Sequence, residues 1–183
     1  MEFKLREWRM EDAESAARYA NNPKIALNLR DAFPSPYSLQ NAEFYIKSCL
    51  SADKNTNLSL AIDVNNEAVG SIGVFVKDDV YSKSAELGYW LGEPFWGMGI
   101  MSGAVCQITR TAFSRFDIAR IFAEPFARNN GSRKVLENAG FRLEGILKNS
   151  VYKNGELGDS CVYALLRPER DEEFLSELGD AER

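Results

Sequence analysis

Apolar and polar residues alternate in FKLREW, residues 3–8, which predicts a half-buried strand. EDAESAARYANN (11–22) is alanine-rich and predicts a helix, with Asn21, Asn22 and Pro23 stopping it. LNLRDAFPSPYS (27–38) carries two prolines and no period, the pattern of a loop. Ser38 then caps a helix over 39–52, whose apolar residues Leu39, Ala42, Tyr45, Ile46, Cys49 and Leu50 recur at helical spacing. Three strands follow, at 58–64, 67–76 and 83–92, with Asn65-Asn66 as the tight turn between the first two. A helix is predicted from about Gly99 to Arg115, a strand over 116–126, a helix over 132–141 ending at Gly140, and a strand over 141–155. Asn154-Gly155 turns that strand into a last one at 156–166. The order β-α-α-β-β-β-α-β-α-β-β makes one α/β domain over 1–168, with antiparallel meanders and a single crossover. A charged tail follows over 169–183, and the weak apolar face from Pro168 onward predicts a frayed surface helix.

Composition narrows the chemistry. An apolar fraction of 45% with 11 Phe, 7 Tyr and 3 Trp is enough for a packed core. A net charge of −5 argues against a nucleic-acid partner, which needs clustered Lys and Arg. The chain has no histidine, so a Ser-His-Asp triad, a Cys-His pair and a His-ligated zinc site are all impossible. Acid–base work falls to carboxylates, tyrosine, lysine or water, and no metal is expected. Cys49, Cys106 and Cys161 are odd in number and far apart. Together with a charged N-terminus and no membrane-length apolar run, they predict a cytoplasmic protein.

The stretch WLGEPFWGMGIMSGAV (90–105) places Gly97 and Gly99 between an apolar run and the start of a helix, an arrangement that lets a phosphate meet the backbone. It lacks the Lys and Ser/Thr of a P-loop. Gly97, Gly99 and Gly103 spell GxGxxxG, near a dinucleotide fingerprint, but Glu93-Pro94 interrupts the strand and no further parallel crossovers follow. A plain glycine turn at a helix N-terminus is the third reading.

The segment AELGYWLGEPFWGMGIMSGAV resembles the acetyl-CoA loop of the GNAT N-acetyltransferases, and NNGSRKVLENAGF resembles that family's N-x-x-S helix opening with its closing Gly-Phe. NNPKIALNLRDAFPSPYSLQNAEFYI and FRLEGILKNSVYKNGELGDSCVYALL follow the branch related to ribosomal-protein N-terminal alanine acetyltransferases. The resemblance spans residues 3 to about 167, with the segments in the right order. It implies a mixed, mostly antiparallel sheet flanked by helices and splayed beside the loop, so that pantetheine inserts like a short strand. It also implies direct transfer from acetyl-CoA to a primary amine, either a protein N-terminus or a small amine, by a monomer or homodimer. The family loop, [Q/R]-x-x-G-x-[G/A], puts Trp96 at the Gln/Arg position and Met101 at the small final one, where it would narrow the space near the phosphates.

Carried over residue by residue, the resemblance makes Leu91, Trp96, Gly97, Met98, Gly99, Ile100, Met101, Asn129, Ser132 and Arg133 cofactor-binding positions. A side chain at Gly97 or Gly99 would block the pyrophosphate. Arg128 and Lys134 join Arg133 as partners for the 3′-phosphate, or else form a solvated face. Glu86 is the implied base, against the ordinary role of a salt-bridged strand carboxylate. Ser132 is the implied acid at the thiolate, a role compatible with helix capping by Asn129 or Ser132, and Tyr152 is its rival. Asp159 is a substrate-site candidate, and Phe33 and Tyr37 an acceptor lid or local packing. Two other readings stay open: a non-catalytic acyl-CoA sensor, and a dinucleotide-binding oxidoreductase.

Overall fold

The computed structural model describes residues 1–168; the tail, for which a surface helix is predicted, lies outside the described residues. Seven strands form one sheet in the order β1-β2-β3-β4-β5-β7-β6: β1 Lys4–Arg6, β2 Asn57–Val64, β3 Glu67–Val76, β4 Ser84–Leu91, β5 Arg120–Ala123, β6 Arg142–Lys153 and β7 Glu156–Leu166. Both predicted hairpin turns are present, with Asn65 and Asn66 at φ 53° and 66° and Asn154 and Gly155 at 54° and 86°. Two consecutive positive φ values give the turn that matches strand twist, and Asn and Gly reach them at low cost.

The helices are α1 Ala13–Ala20, α2 Pro23–Ala26, α3 Leu39–Ser51, α4 Ile100–Arg115 and α5 Asn130–Asn138. On one face α4 sends Ile100, Ala104, Val105 and Ile108 against Ile72, Val74, Leu87 and Ile121 of the sheet, with Leu136 of α5 beside them. On the other face Ala16, Ala42 and Ile46 of α1 and α3 pack with Trp8, Ala61 and Trp90. A periodic helical stripe thus covers each face of a sheet buried on both sides.

Several boundaries differ from expectation. Pro23 begins α2 instead of only ending α1: the Asn22 side chain accepts from the Lys24 N–H at 2.9 Å. Proline costs nothing at a first helical position, whose N–H has no intrahelical partner. Leu39 and Leu50 share the α3 period but sit near its ends and are exposed. The strand predicted at 116–126 is only Arg120–Ala123, because Phe116 and Ile118 are buried by the connection that leaves α4. Helix α5 starts two residues early, with Asn129 as its cap.

A buried ion cluster ties the N-terminal strand down. Arg6 donates to both oxygens of Asp12, at 2.7 and 2.8 Å, and to Asp63 at 2.6 Å. Burial alone would raise the Asp12 carboxyl pKa, but the Arg6 guanidinium and the Arg9 N–H outweigh it and hold the value below the ordinary range. A depressed folded-state pKa contributes stability above the unfolded value, about 3.9, and loses it as pH falls through the folded one. In urea melts the stability gap between the native chain and Asp12→Asn should therefore be wide at pH 7 and should narrow progressively below pH 4. A gap independent of pH would mean that the ion cluster is not its source.

Candidate active site

The site begins where two strands part. Strands β4 and β5 pair in parallel only from Ser84–Glu86 to Arg120–Phe122, and Leu87 to Leu91 have no β5 partner although β3 flanks them throughout. The helix-linked crossover joins β4 to β5, so the expected splay opens directly below the glycine loop. A cavity of about 1470 Å³ fills it and draws its lining from both faces of the sheet. Ligand pockets commonly hold about 300–1,000 Å³, so the space suits two substrates better than one. Strand alternation decides which side each residue serves. Leu87, Tyr89 and Leu91 belong with the α4 face, whereas Trp90 packs on the opposite face, toward which Glu86 and Gly88 also point.

On the α4 side, Gly97 and Gly99 adopt φ of 75° and 76°, in the left-handed region. Among the described residues, no hydrogen bond uses the N–H of Gly97, Met98, Gly99, Ile100, Met101 or Ser102. Six successive unclaimed donors at the positive end of a sixteen-residue helix make an anion cradle. The fit to a pyrophosphate rests on that donor set. A Cβ at Gly97 or Gly99 would meet no protein atom within 4 Å, so their glycine requirement comes from backbone conformation and not from crowding within the protein. Gly103 differs: its Cβ would lie 3.0 Å from the Phe3 ring, which makes it a packing glycine and removes it from any phosphate fingerprint.

Trp96 takes its own course. Its indole N–H donates to the Leu91 carbonyl at 2.7 Å and closes the turn between β4 and the loop, so this side chain fastens the loop from within. Ile100 and Met101 are buried in the larger core while contributing to the cavity wall, and Met98 is exposed beside it. Across the splay, Asn129 caps α5 by accepting from the Ser132 N–H at 3.0 Å. Ser132 lines the cavity, as do Arg128 and Lys134, but Arg133 does not. The Arg133 guanidinium instead donates to Tyr163 Oη at 3.2 Å and to the Ala127 carbonyl at 3.3 Å.

The opposite side is aromatic. Phe33 and Tyr37 stack with ring centroids 4.8 Å apart, and Phe33 lies edge-on to Trp90 at 6.2 Å. Burial pushes the Tyr37 phenol up to about 12, so it stays neutral at physiological pH. Phe75 lays its ring over Gly73, where an added Cβ would come within 2.7 Å of it. Glu86 lines the cavity with its carboxylate shared between Arg30, from the proline-bearing loop, and Lys77 at 3.5 Å. The expected strand carboxylate is therefore both in the cavity and ion-paired.

Besides Arg133, the expected residues Tyr152 and Asp159 are not brought in. Tyr152 is 69% exposed near the turn of the β6–β7 hairpin, on the edge strand, and does not line the cavity. Asp159 accepts from Lys148 Nζ at 2.8 Å and from the Asn149 N–H at 2.9 Å, bonds that hold its carboxyl below the usual range. It fastens the irregular stretch of β6 between Leu147 and Val151. Sequence reasoning missed Arg30, Phe75, Tyr89 and Trp90. For the last two the signal was available, because in AELGYWL the alternation around Glu86 sends Tyr89 and Trp90 to opposite faces of the strand that carries the loop.

Comparison with known proteins bears on this geometry. Residues 2–142 match the family model for the acetyltransferase (GNAT) domain. Uncharacterized N-acetyltransferase p20 of Bacillus licheniformis is 28% identical over 90% of this chain and 93% of its own. The ribosomal-protein-serine acetyltransferase of Escherichia coli is 32% identical over 54% and 55%. The solved structure of RimL, a ribosomal L7/L12 α-N-protein acetyltransferase in complex with coenzyme A, superposes with a TM-score of 0.79 at 25% identity, covering 90% of this chain and 93% of that one. Mycobacterium smegmatis RimJ, in complex with a CoA disulfide, gives 0.79 at 25% identity over 97% and 89%. With them the dinucleotide-oxidoreductase reading falls. The chain belongs to the GNAT family of N-acetyltransferases, whose activity is transfer of an acetyl group from acetyl-CoA.

Proposed function

We propose that this cavity moves acetyl directly from acetyl-CoA to a primary amine, carried by a protein N-terminus or a small molecule, that enters from the aromatic side. The observation that supports this most is the continuity of one cavity from the six free N–H groups, through the splayed strands, to Glu86. When bound, acetyl-CoA supplies an activated thioester. The chain's own work is placement. The N–H groups of Gly97 to Ser102 hold the pyrophosphate, the free edge of Leu87 to Leu91 receives the pantetheine amides, and Arg128 and Lys134 offer charge to the 3′-phosphate. Phe33, Tyr37, Phe75 and Trp90 shape the acceptor side and exclude water.

Glu86 receives the amine proton, directly or through water. Its pair with Arg30 does not forbid this: the Arg30 side chain is 67% exposed, and such solvent-screened pairs are worth at most about 1 kcal/mol. Ser132 faces the cavity from the α5 side and donates to the departing sulfur. Three free cysteines, at 49, 106 and 161, support a reducing compartment, and we place the enzyme in the cytoplasm. No helix of the described residues is long and apolar enough to cross a membrane.

Two measurements test the proposal. Acetyl-CoA at a hundredfold excess over Kd should stabilise the fold by about 2.7 kcal/mol, read as a higher Tm, and NADH should leave Tm unchanged. A panel of amines should then release free thiol from acetyl-CoA. Stabilisation without release from any amine would make the chain a sensor and sink the transfer reading.

A further inference from the structure

Tyr89 stands in the splayed half of β4, on the face opposite Glu86, and its hydroxyl lies 2.8 Å from Ser132 Oγ and 3.2 Å from the Ser132 carbonyl. The Ser132 N–H is already held by Asn129. Two elements far apart in sequence thus restrain every polar group of this one serine. The protons can be counted. Tyr89 and Ser132 bring one hydroxyl hydrogen each, and a hydroxyl donates once while accepting twice. If Tyr89 points its one hydrogen at Ser132 Oγ, the shorter contact, with the Ser132 carbonyl as the longer arm of the same shared donation, the serine's own hydrogen is left free for the cavity. If the serine gives to Tyr89 instead, Tyr89 gives its own hydrogen wholly to the carbonyl and the serine has nothing for a third partner.

The geometry points to Tyr89 as a positioning residue that donates to Ser132 Oγ and so aims the serine hydrogen at the departing sulfur; this rests on the transfer reading above. Burial raises the Tyr89 phenol well above its ordinary value, with the Ser132 hydrogen bond opposing the rise only in part, so Tyr89 remains a donor throughout the working pH range. During transfer the carbon–nitrogen bond forms as the carbon–sulfur bond breaks. The electron pair of the broken bond stays on sulfur, where the Ser132 hydrogen stabilises it, and the amine proton passes to Glu86. No proton leaves Tyr89, and the step balances without one.

Tyr89→Phe removes the donor and keeps the ring. It should lower kcat about tenfold to thirtyfold, the worth of a hydrogen bond to developing charge, with the KM for acetyl-CoA within about twofold. Ser132→Ala should cost at least as much, and adding Tyr89→Phe to it should cost nothing further, because the tyrosine acts only through the serine. The deciding substrate is Se-acetyl seleno-coenzyme A, whose more acidic selenol leaves without help. With it both single variants should fall within about twofold of the native chain. A purely structural role would depress thioester and selenoester rates alike, and that result overturns the inference, as does a multiplied loss in the double variant. Should Tyr89→Phe fail to fold, Ser132→Ala with the two esters still decides, since equal losses there overturn the inference. A native chain that releases no thiol with any amine overturns the transfer reading itself, and this inference with it.

Discussion

Glu86→Gln is expected to depress kcat by about 10²- to 10⁴-fold at neutral pH, with acetyl-CoA binding almost unchanged. The magnitude is that of general-base assistance, roughly 2.7 to 5.4 kcal/mol of barrier. Glutamine keeps the outline and can still meet Arg30 and Lys77, so what it loses is the capacity to take a proton. The deficit should shrink as pH rises, because solution then supplies more neutral amine unaided. Glu86 also fastens the loop of Arg30 and Phe33 to the sheet, and the two roles part in the data. A loop-anchoring residue would raise the KM of the acceptor and leave the shape of the pH–rate profile alone. If the profiles of both proteins superimpose with one validated acceptor, the base lies elsewhere. The search would then turn to water or to Glu124, which also lines the cavity, since neither Tyr152 nor Asp159 does.

Gly99→Val should weaken CoA binding about a hundredfold while costing the fold no more than about 1–2 kcal/mol of stability. Two costs add. A β-branched residue at φ 76° bears roughly 1–2 kcal/mol of left-handed strain. A loop that relaxes to escape it misplaces its N–H groups, and each hydrogen bond lost to a charged phosphate costs about 1.5–3 kcal/mol. The fold survives because a Cβ at this position meets no protein atom within 4 Å. Calorimetry gives the affinity and a melting curve the stability. Gly103→Val is the informative contrast, since its Cβ would press on Phe3 and so should cost stability before affinity. Native affinity in the Gly99 variant would place the phosphate away from this loop.

Much of the architecture is legible locally. The stripe Ile100, Ala104, Val105, Ile108 repeats at helical spacing, and paired Asn and Gly residues mark both hairpin turns, because these signals depend on neighbours within one turn or one strand. The glycine loop is legible for the same reason, as positive φ is a property of single residues. Boundaries are less so. Phe116 and Ile118 look like strand residues by type, but the requirement to bury them is met equally well by the connection after α4.

The site is legible only in part, because it is assembled across the sheet. Glu86 and Ser132 could be singled out from their motifs, yet nothing within those segments says that Glu86 meets an arginine 56 positions away. Nor does it say that the tyrosine facing Ser132 is Tyr89, with Tyr152 left at the far edge of the sheet. Strand order decides that. Strand β7 inserts between β5 and β6, which carries Tyr152 outward and leaves the gap beside β4 to Tyr89. The sequence by itself determined most of the elements, the hairpin turns and the glycine loop, through backbone preferences and periodicity that act over a few residues. Only the tertiary structure decided which side chains share the cavity, because that depends on which strands lie side by side, and on which face of each strand the alternation places a residue.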